Sequence, residues 1–258
     1  MLREEILKAI DFRRLNCAFF IKNLKTGEEF TYNENEIVPS ASLIKVPIMM
    51  EALRQVDEGK LSLSQRIVVE DDVKVPYSIL NLLESGNSYT LRDVMTLMII
   101  QSDNTAANIL MDMVGMDNVN RYITGLGLKN TVLQRKMMDA EARKEGRENK
   151  TTALEMAELL EVIYRGAEAD DPSSLLMKEI LLNQLDNSMM KLYTPDDIRV
   201  AHKTGDLDGI SHDAGIIYLK NTDYIFCNLT WDAVTNNIAR ESIGKTSKIV
   251  YDYFAGQK

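Results

Sequence analysis

Strand-like runs occupy both ends of this 258-residue chain, and helical spacing fills the middle. That arrangement leaves few folds open. Near the front, Asn16 to Asn23 and Glu28 to Tyr32 flank Lys25-Thr26-Gly27, a turn that suits a hairpin. Near the end, Arg199 to Thr204, Ala214 to Leu219 and Tyr224 to Trp231 are joined by short turns. A helix is expected outside each group, over residues 2–14 with Leu2, Ile6, Ala9 and Ile10 on one face, and from about Thr235 to Phe254. Between residues 40 and 185 the signals are mainly helical, with Gly115, Gly125 and Gly127 as stops. An α+β architecture follows. Residues 1–39 and 186–258 form one mixed lobe built from both chain ends, and residues 40–185 form an all-α lobe inserted between them.

Composition narrows the partners. A chain that is 45% hydrophobic and 27% charged buries a substantial core without a metal or a disulfide. The net charge of −9, with no Lys/Arg-rich stripe, argues against nucleic acid or an anionic membrane as the main partner. No apolar run approaches membrane-spanning length. The opening residues carry Glu4 and Glu5 where a signal peptide needs basic residues and an apolar run. The chain is therefore expected to be cytoplasmic if it is the complete gene product, and exported if a leader was removed. Cys17 and Cys227 lie in apolar runs and read as buried thiols. Two histidines, no Cys/His cluster and no glycine-rich phosphate loop point to neither a metal nor a cofactor.

Three motifs carry the chemistry: Ser42-Leu43-Ile44-Lys45, Ser102-Asp103-Asn104 and Lys203-Thr204-Gly205. The first sets a hydroxyl and an amine at i and i+3, on one face of a helical turn. Serine is a poor nucleophile until a neighbouring base takes its proton, and an amine can do so. Ser40 is expected to cap the helix, which places Ser42 in the first turn near unpaired N–H groups. Pro47 is expected to remove one backbone bond and kink it. The second motif adds a hydroxyl and an amide, the third a second amine on a strand edge. Such a set suits acyl transfer through a serine ester.

In this order and spacing the motifs closely resemble the S-x-x-K, S-D-N and K-T-G signatures of the class A β-lactamase and penicillin-binding-protein superfamily. The likeness extends through Thr105-Ala106-Ala107-Asn108 and through Thr151-Thr152 with Met156-Ala157, and spans nearly the whole chain. It implies a five-stranded antiparallel sheet flanked by terminal helices beside an all-α lobe, with the site in the cleft. It also implies roles: Ser42 as nucleophile, Lys45 as base, Ser102 as proton relay, and Asn104 holding the substrate amide. Lys203 supplies positive field and Thr204 bonds a substrate carboxylate, while Gly205 lets the strand edge approach. The backbone N–H groups of Ser42 and Asp206 form the oxyanion hole, and Asp103 ties down its turn.

Four departures from the family pattern stand out. Met137 occupies the position of the glutamate that activates the deacylating water, and a thioether is no base. Glu141 aligns with the asparagine that helps to hold that water, and reads either as a substitute base or as a solvated carboxylate. Arg135 is expected to close its loop through Glu148 or Asn149. Asp206 replaces a small neutral residue, so its carboxylate is set to repel an anionic substrate. His212 falls where many members bind an anion with arginine or lysine, and reads either as a protonated imidazole aided by Asp213 or as a histidine bonded within the sheet.

The resemblance thus implies a serine hydrolase acting on β-lactams or related amides and esters. D-amino-acyl peptidase or esterase activity with slow β-lactam turnover, and a penicillin-binding sensor that acylates without release, are the alternatives. The expected partner is a small-molecule or peptide-like substrate, met by a monomer.

Overall fold

The computed structural model describes residues 1–256. The chain runs through α1 (Leu2–Ala9), β1 (Asn16–Asn23), β2 (Glu29–Tyr32) and β3 (Val38–Pro39) to a 3-10 turn (Ala41–Ile44) that leads into α2 (Lys45–Asp57). Next come β4 (Arg66–Val69), β5 (Asn87–Thr90), α3 (Leu91–Ile100), α4 (Asn104–Val114) and α5 (Met116–Gly125). After α6 (Ala140–Lys144) and β6 (Lys150–Thr151) stand the helices α7 (Ala153–Glu168) and α8 (Pro172–Leu182). The strands β7 (Arg199–Leu207), β8 (Ile210–Tyr218) and β9 (Asp223–Trp231) and the helix α9 (Asn236–Ala255) follow.

Five strands form one antiparallel sheet in the order β2-β1-β9-β8-β7. The two chain ends meet along β1 and β9, from Asn16 opposite Trp231 to Asn23 opposite Tyr224. Period-two alternation sorts the sheet residues between two cores. Ala18, Phe20, Ala214, Ile216 and Cys227 pack with the middle helices, whereas Phe19, Ile21, Ile217, Tyr224 and Phe226 pack with Ile6 of α1 and with Ile243, Val250 and Phe254 of α9. β7 is left as an edge, so K-T-G is free on one side for the cleft.

Local chemistry explains where elements stop. α1 ends at Ala9, short of the expected residue 14, because Asp11 draws the backbone N–H of Arg13 (3.2 Å) and its guanidinium (3.0 Å) into a local turn. α9 begins where expected, with the Thr235 hydroxyl accepting from the Ile238 N–H. Pro47 lies in the first turn of α2, where its missing N–H has no intrahelical partner to lose, so the expected broken bond does not arise. Both cysteines are buried free thiols. Burial pushes Cys17 up to about 12 and Cys227 well above the ordinary thiol range, which leaves both inert. No described helix is long and apolar enough to cross a membrane.

Candidate active site

Ser42 is half-buried in the 3-10 turn just ahead of α2. Its approach is clamped from the far side: Val38 and Pro39 pair with Thr151 and Lys150, and the Ser40 N–H donates to Asn149 O at 2.8 Å. Between them Ala41 adopts φ 46°, a left-handed conformation that costs a non-glycine residue about 1–3 kcal/mol and persists only where the surroundings enforce it. The side-chain cap expected of Ser40 is not formed. Ser40 is itself helical in φ and ψ (−70°, −15°), and its hydroxyl bonds the Ala41 carbonyl at 3.2 Å.

β7 closes on this turn from the sheet side. A Cβ on Gly205 would stand 3.0 Å from the Ser42 backbone nitrogen and 3.3 Å from that of Leu43, too near for comfort against a clamped backbone. Gly205→Ala is therefore expected to push the Ser42 N–H off line. If that N–H is an oxyanion donor, acylation falls by roughly 10²–10³-fold, the usual effect of losing one such donor. Stopped-flow acylation kinetics check this, with circular dichroism confirming the fold.

Two buried lysines converge on Ser102. Lys45 Nζ lies 2.5 Å from the Ser102 carbonyl, 3.1 Å from its hydroxyl and 2.8 Å from Asn104 Oδ1, while Lys203 Nζ lies 3.0 Å from the same hydroxyl. Ser102 takes φ 53° in the turn between α3 and α4, which brings both its carbonyl and its hydroxyl to Lys45. Asp103 caps α4, accepting from Ala106 N–H at 2.8 Å and from Leu80 N–H at 3.0 Å, as a turn-fixing residue should. Burial, reinforced by the Lys203 charge and only partly opposed by Asp103, holds Lys45 well below the ordinary lysine range. Burial also lowers Lys203, to about 8, against the opposing pull of Asp186, Asp213 and Asp206. Lys45, three residues after Ser42 in the chain, is thus the readier proton acceptor, and Lys203 keeps its charge to about pH 8.

Met137 is buried, and Asn108 grips its backbone from both sides: the Met137 N–H donates to Asn108 Oδ1 at 2.7 Å and Asn108 Nδ2 donates to Met137 O at 3.1 Å. Arg135 closes the loop on Glu148, with Nη2 2.7 Å from Oε1, while Asn149 bonds the backbone of Gln134 and Arg135. Glu141 is not drawn in. Its side chain is 82% exposed at the start of α6 and pairs with Lys144 at 3.6 Å, which is the solvated alternative.

His212 is likewise placed away from ligand binding. Its ring is buried, with Nε2 donating to Pro39 O at 2.8 Å and Nδ1 accepting from Thr230 N–H at 3.1 Å, and burial lowers its pKa. The anion-binding alternative therefore has no free donor and no retained charge. Asp213 cannot assist it either, because neighbouring residues on a strand face opposite ways; Asp213 bonds His202 at 2.9 Å.

Two residues went unread in the sequence. Arg240 on α9 reaches Asp206 at 2.7 Å, so that carboxylate is not the lone charge it looked. Tyr77, 81% exposed at φ 58°, borders Asn104, whose backbone N–H donates to Tyr77 O at 3.4 Å. No motif marks either position: Arg240 is one basic residue on a helix, and Tyr77 is one aromatic in a loop.

A sheet edge closing on a serine–lysine turn, with a second serine between two lysines, is the arrangement of a serine acyl-transfer hydrolase. Residues 1–254 match the family described as the Beta-lactamase enzyme family. This chain belongs to that family. The VEB-1 β-lactamase of Pseudomonas aeruginosa is 24% identical over 269 residues, covering 97% of this chain and 88% of the relative. A β-lactamase structure from Sphaerobacter thermophilus superposes with a TM-score of 0.92 at 29% identity, covering 100% of this chain and 98% of that one. PBP-A is similar at a TM-score of 0.89 and 26% identity, covering 99% and 96%, and a leucine-to-glutamate mutant of it has been solved as an acyl-enzyme complex with penicillin G.

Proposed function

We propose that this protein is a penicillin-binding serine hydrolase that acylates at Ser42 and releases the acyl group slowly. Lys45, its proton affinity lowered by burial, accepts the Ser42 proton as the hydroxyl attacks the lactam, amide or ester carbonyl. The backbone N–H groups of Ser42 and Asp206 take the developing oxyanion. Ser102, held by Lys203, delivers a proton to the leaving nitrogen or oxygen, and Asn104 orients the substrate amide. One observation carries the slow-release half: Asn108 fixes Met137 by both backbone groups, and a thioether stands where the family glutamate would activate water. With a chromogenic cephalosporin the expected progress curve is a burst stoichiometric with enzyme followed by a slow steady state. A linear curve of many turnovers would reject slow release.

The charge of Lys203 sets a pH limit. Acylation is expected to fall as pH rises through about 8, where Lys203 loses its proton beside Ser102. Stability moves the other way. A lysine lowered in the folded state binds its proton less tightly there than in the unfolded chain, so folding is favoured as pH rises from about 8 into the ordinary lysine range. Loss of rate without loss of melting temperature, in parallel pH series, separates the two effects. Lys203→Arg should remove the fall while lowering the plateau, since the charge stays and the geometry changes.

A further inference from the structure

Alternation along β7 turns Lys203 and Gly205 toward the helical lobe, and Thr204 and Asp206 toward α9. Asp206 is held on every side. Its Oδ2 accepts from Arg240 at 2.7 Å, and its Oδ1 accepts from Ser211 Oγ at 2.6 Å and from Asn236 Nδ2 at 3.2 Å. Arg240 is fixed in turn by donating to Ser188 Oγ at 3.0 Å, and Ser188 bonds Asp186 at 2.6 Å. The guanidinium that reaches this end of the sheet edge is thus already matched to a carboxylate of the chain itself. Three carboxylates, Asp186, Asp206 and Asp213, act on Lys203, while Arg240 pairs with Asp206 and His202 bonds Asp213. The pair is still open to a ligand, with Arg240 33% and Asp206 29% exposed.

We infer that the Asp206–Arg240 pair is a charge selector at the oxyanion-hole end of β7. It admits acyl donors that are uncharged or hydrogen-donating beside Thr204 and Asp206, and disfavours those that present a carboxylate there. The inference rests on the reading of Ser42 as the acylated residue and names the substrate class: an ester or amide neutral at that end. A carboxylate arriving beside Thr204 meets the like charge of Asp206 two residues along the same strand face. To reach Arg240 it must displace Asp206 from a charge-assisted bond, and a matched pair offers no net attraction in return. A neutral ester leaves the pair intact, and a substrate N–H finds an acceptor in Asp206.

Penicillin G and its methyl ester form a matched probe, sharing the reactive ring and differing in that one charge. The rate of adduct formation at Ser42, followed by intact mass, is independent of later release. The wild-type protein is expected to react with the ester at least as fast as with the acid. Asp206→Asn keeps the side-chain shape and removes the charge, so the acid-to-ester rate ratio should rise by roughly tenfold or more, since like-charge juxtaposition is strongly unfavourable. Arg240→Gln leaves Asp206 unbalanced, and the ratio should fall by a comparable factor. Using a ratio cancels any general loss in folding or in oxyanion geometry. One unchanged ratio across all three proteins overturns the selector while leaving Ser42 in place; absence of any adduct with either compound overturns the Ser42 reading and the selector together.

Discussion

Lys45→Met is expected to slow acylation of Ser42 by roughly 10²–10⁴-fold, the usual contribution of a positioned general base. Methionine keeps the length and apolar stem of the side chain and removes the amine. The substitution replaces a buried amine, whose desolvation opposes folding, with an apolar group, which is stabilising, and leaves the Ser102 carbonyl and Asn104 Oδ1 without that donor, at about 1–3 kcal/mol per buried unsatisfied group. Its stability effect is therefore a modest net loss, readable as a melting-temperature shift in a protein that still folds. A variant that folds and still acylates at the wild-type rate would remove Lys45 from the chemistry and leave it a structural tie between α2 and the Ser102 turn.

Release responds to a different residue. Met137→Glu is expected to speed deacylation by roughly 10²–10⁴-fold, because the Asn108 clamp holds the backbone at that position and the new carboxylate replaces a group that cannot act as a base. Burial of the site raises the carboxyl group's pKa, so the gain should grow as pH rises through its titration. Glu141→Gln should leave release unchanged, since that side chain is exposed and paired with Lys144. The two variants can be compared in one assay, as the decay of a preformed penicilloyl adduct after removal of free drug. If Glu141→Gln slowed release while Met137→Glu did not speed it, the exposed carboxylate would have to swing inward during turnover.

The broad plan of the molecule was legible because its signals are local. Short apolar runs in β1, β8 and β9 and the helical spacing of α4 and α7 are written in short windows, and the order of elements forces a sheet made from both chain ends. The pairing of β4 with β5 was not legible. Its residues 66–69 and 87–90 lie about twenty apart within a helical stretch and carry no hairpin turn. At the site, Ser42, Lys45, Ser102, Asn104 and the K-T-G strand stood out because their spacing is itself the signal. Neither Arg240 nor Tyr77 has one, because each reaches the site through tertiary packing alone. The reading of His212 with Asp213 failed on strand geometry: adjacent residues face opposite sides, so Asp213 serves His202 and His212 serves Pro39. Asp206 looked like a lone repulsive charge because its partner lies 34 residues further along the chain.

Ser42 is proposed to form a covalent acyl-enzyme that outlives its formation. Intact mass spectrometry of the wild-type protein, sampled from seconds to hours after mixing with penicillin G and followed by peptide mapping, measures it directly. The expected result is one adduct per chain, equal in mass to the whole drug, mapped to the peptide containing Ser42, persistent after the drug is removed and absent from Ser42→Ala. An adduct that maps elsewhere, or one that survives in Ser42→Ala, would contradict it.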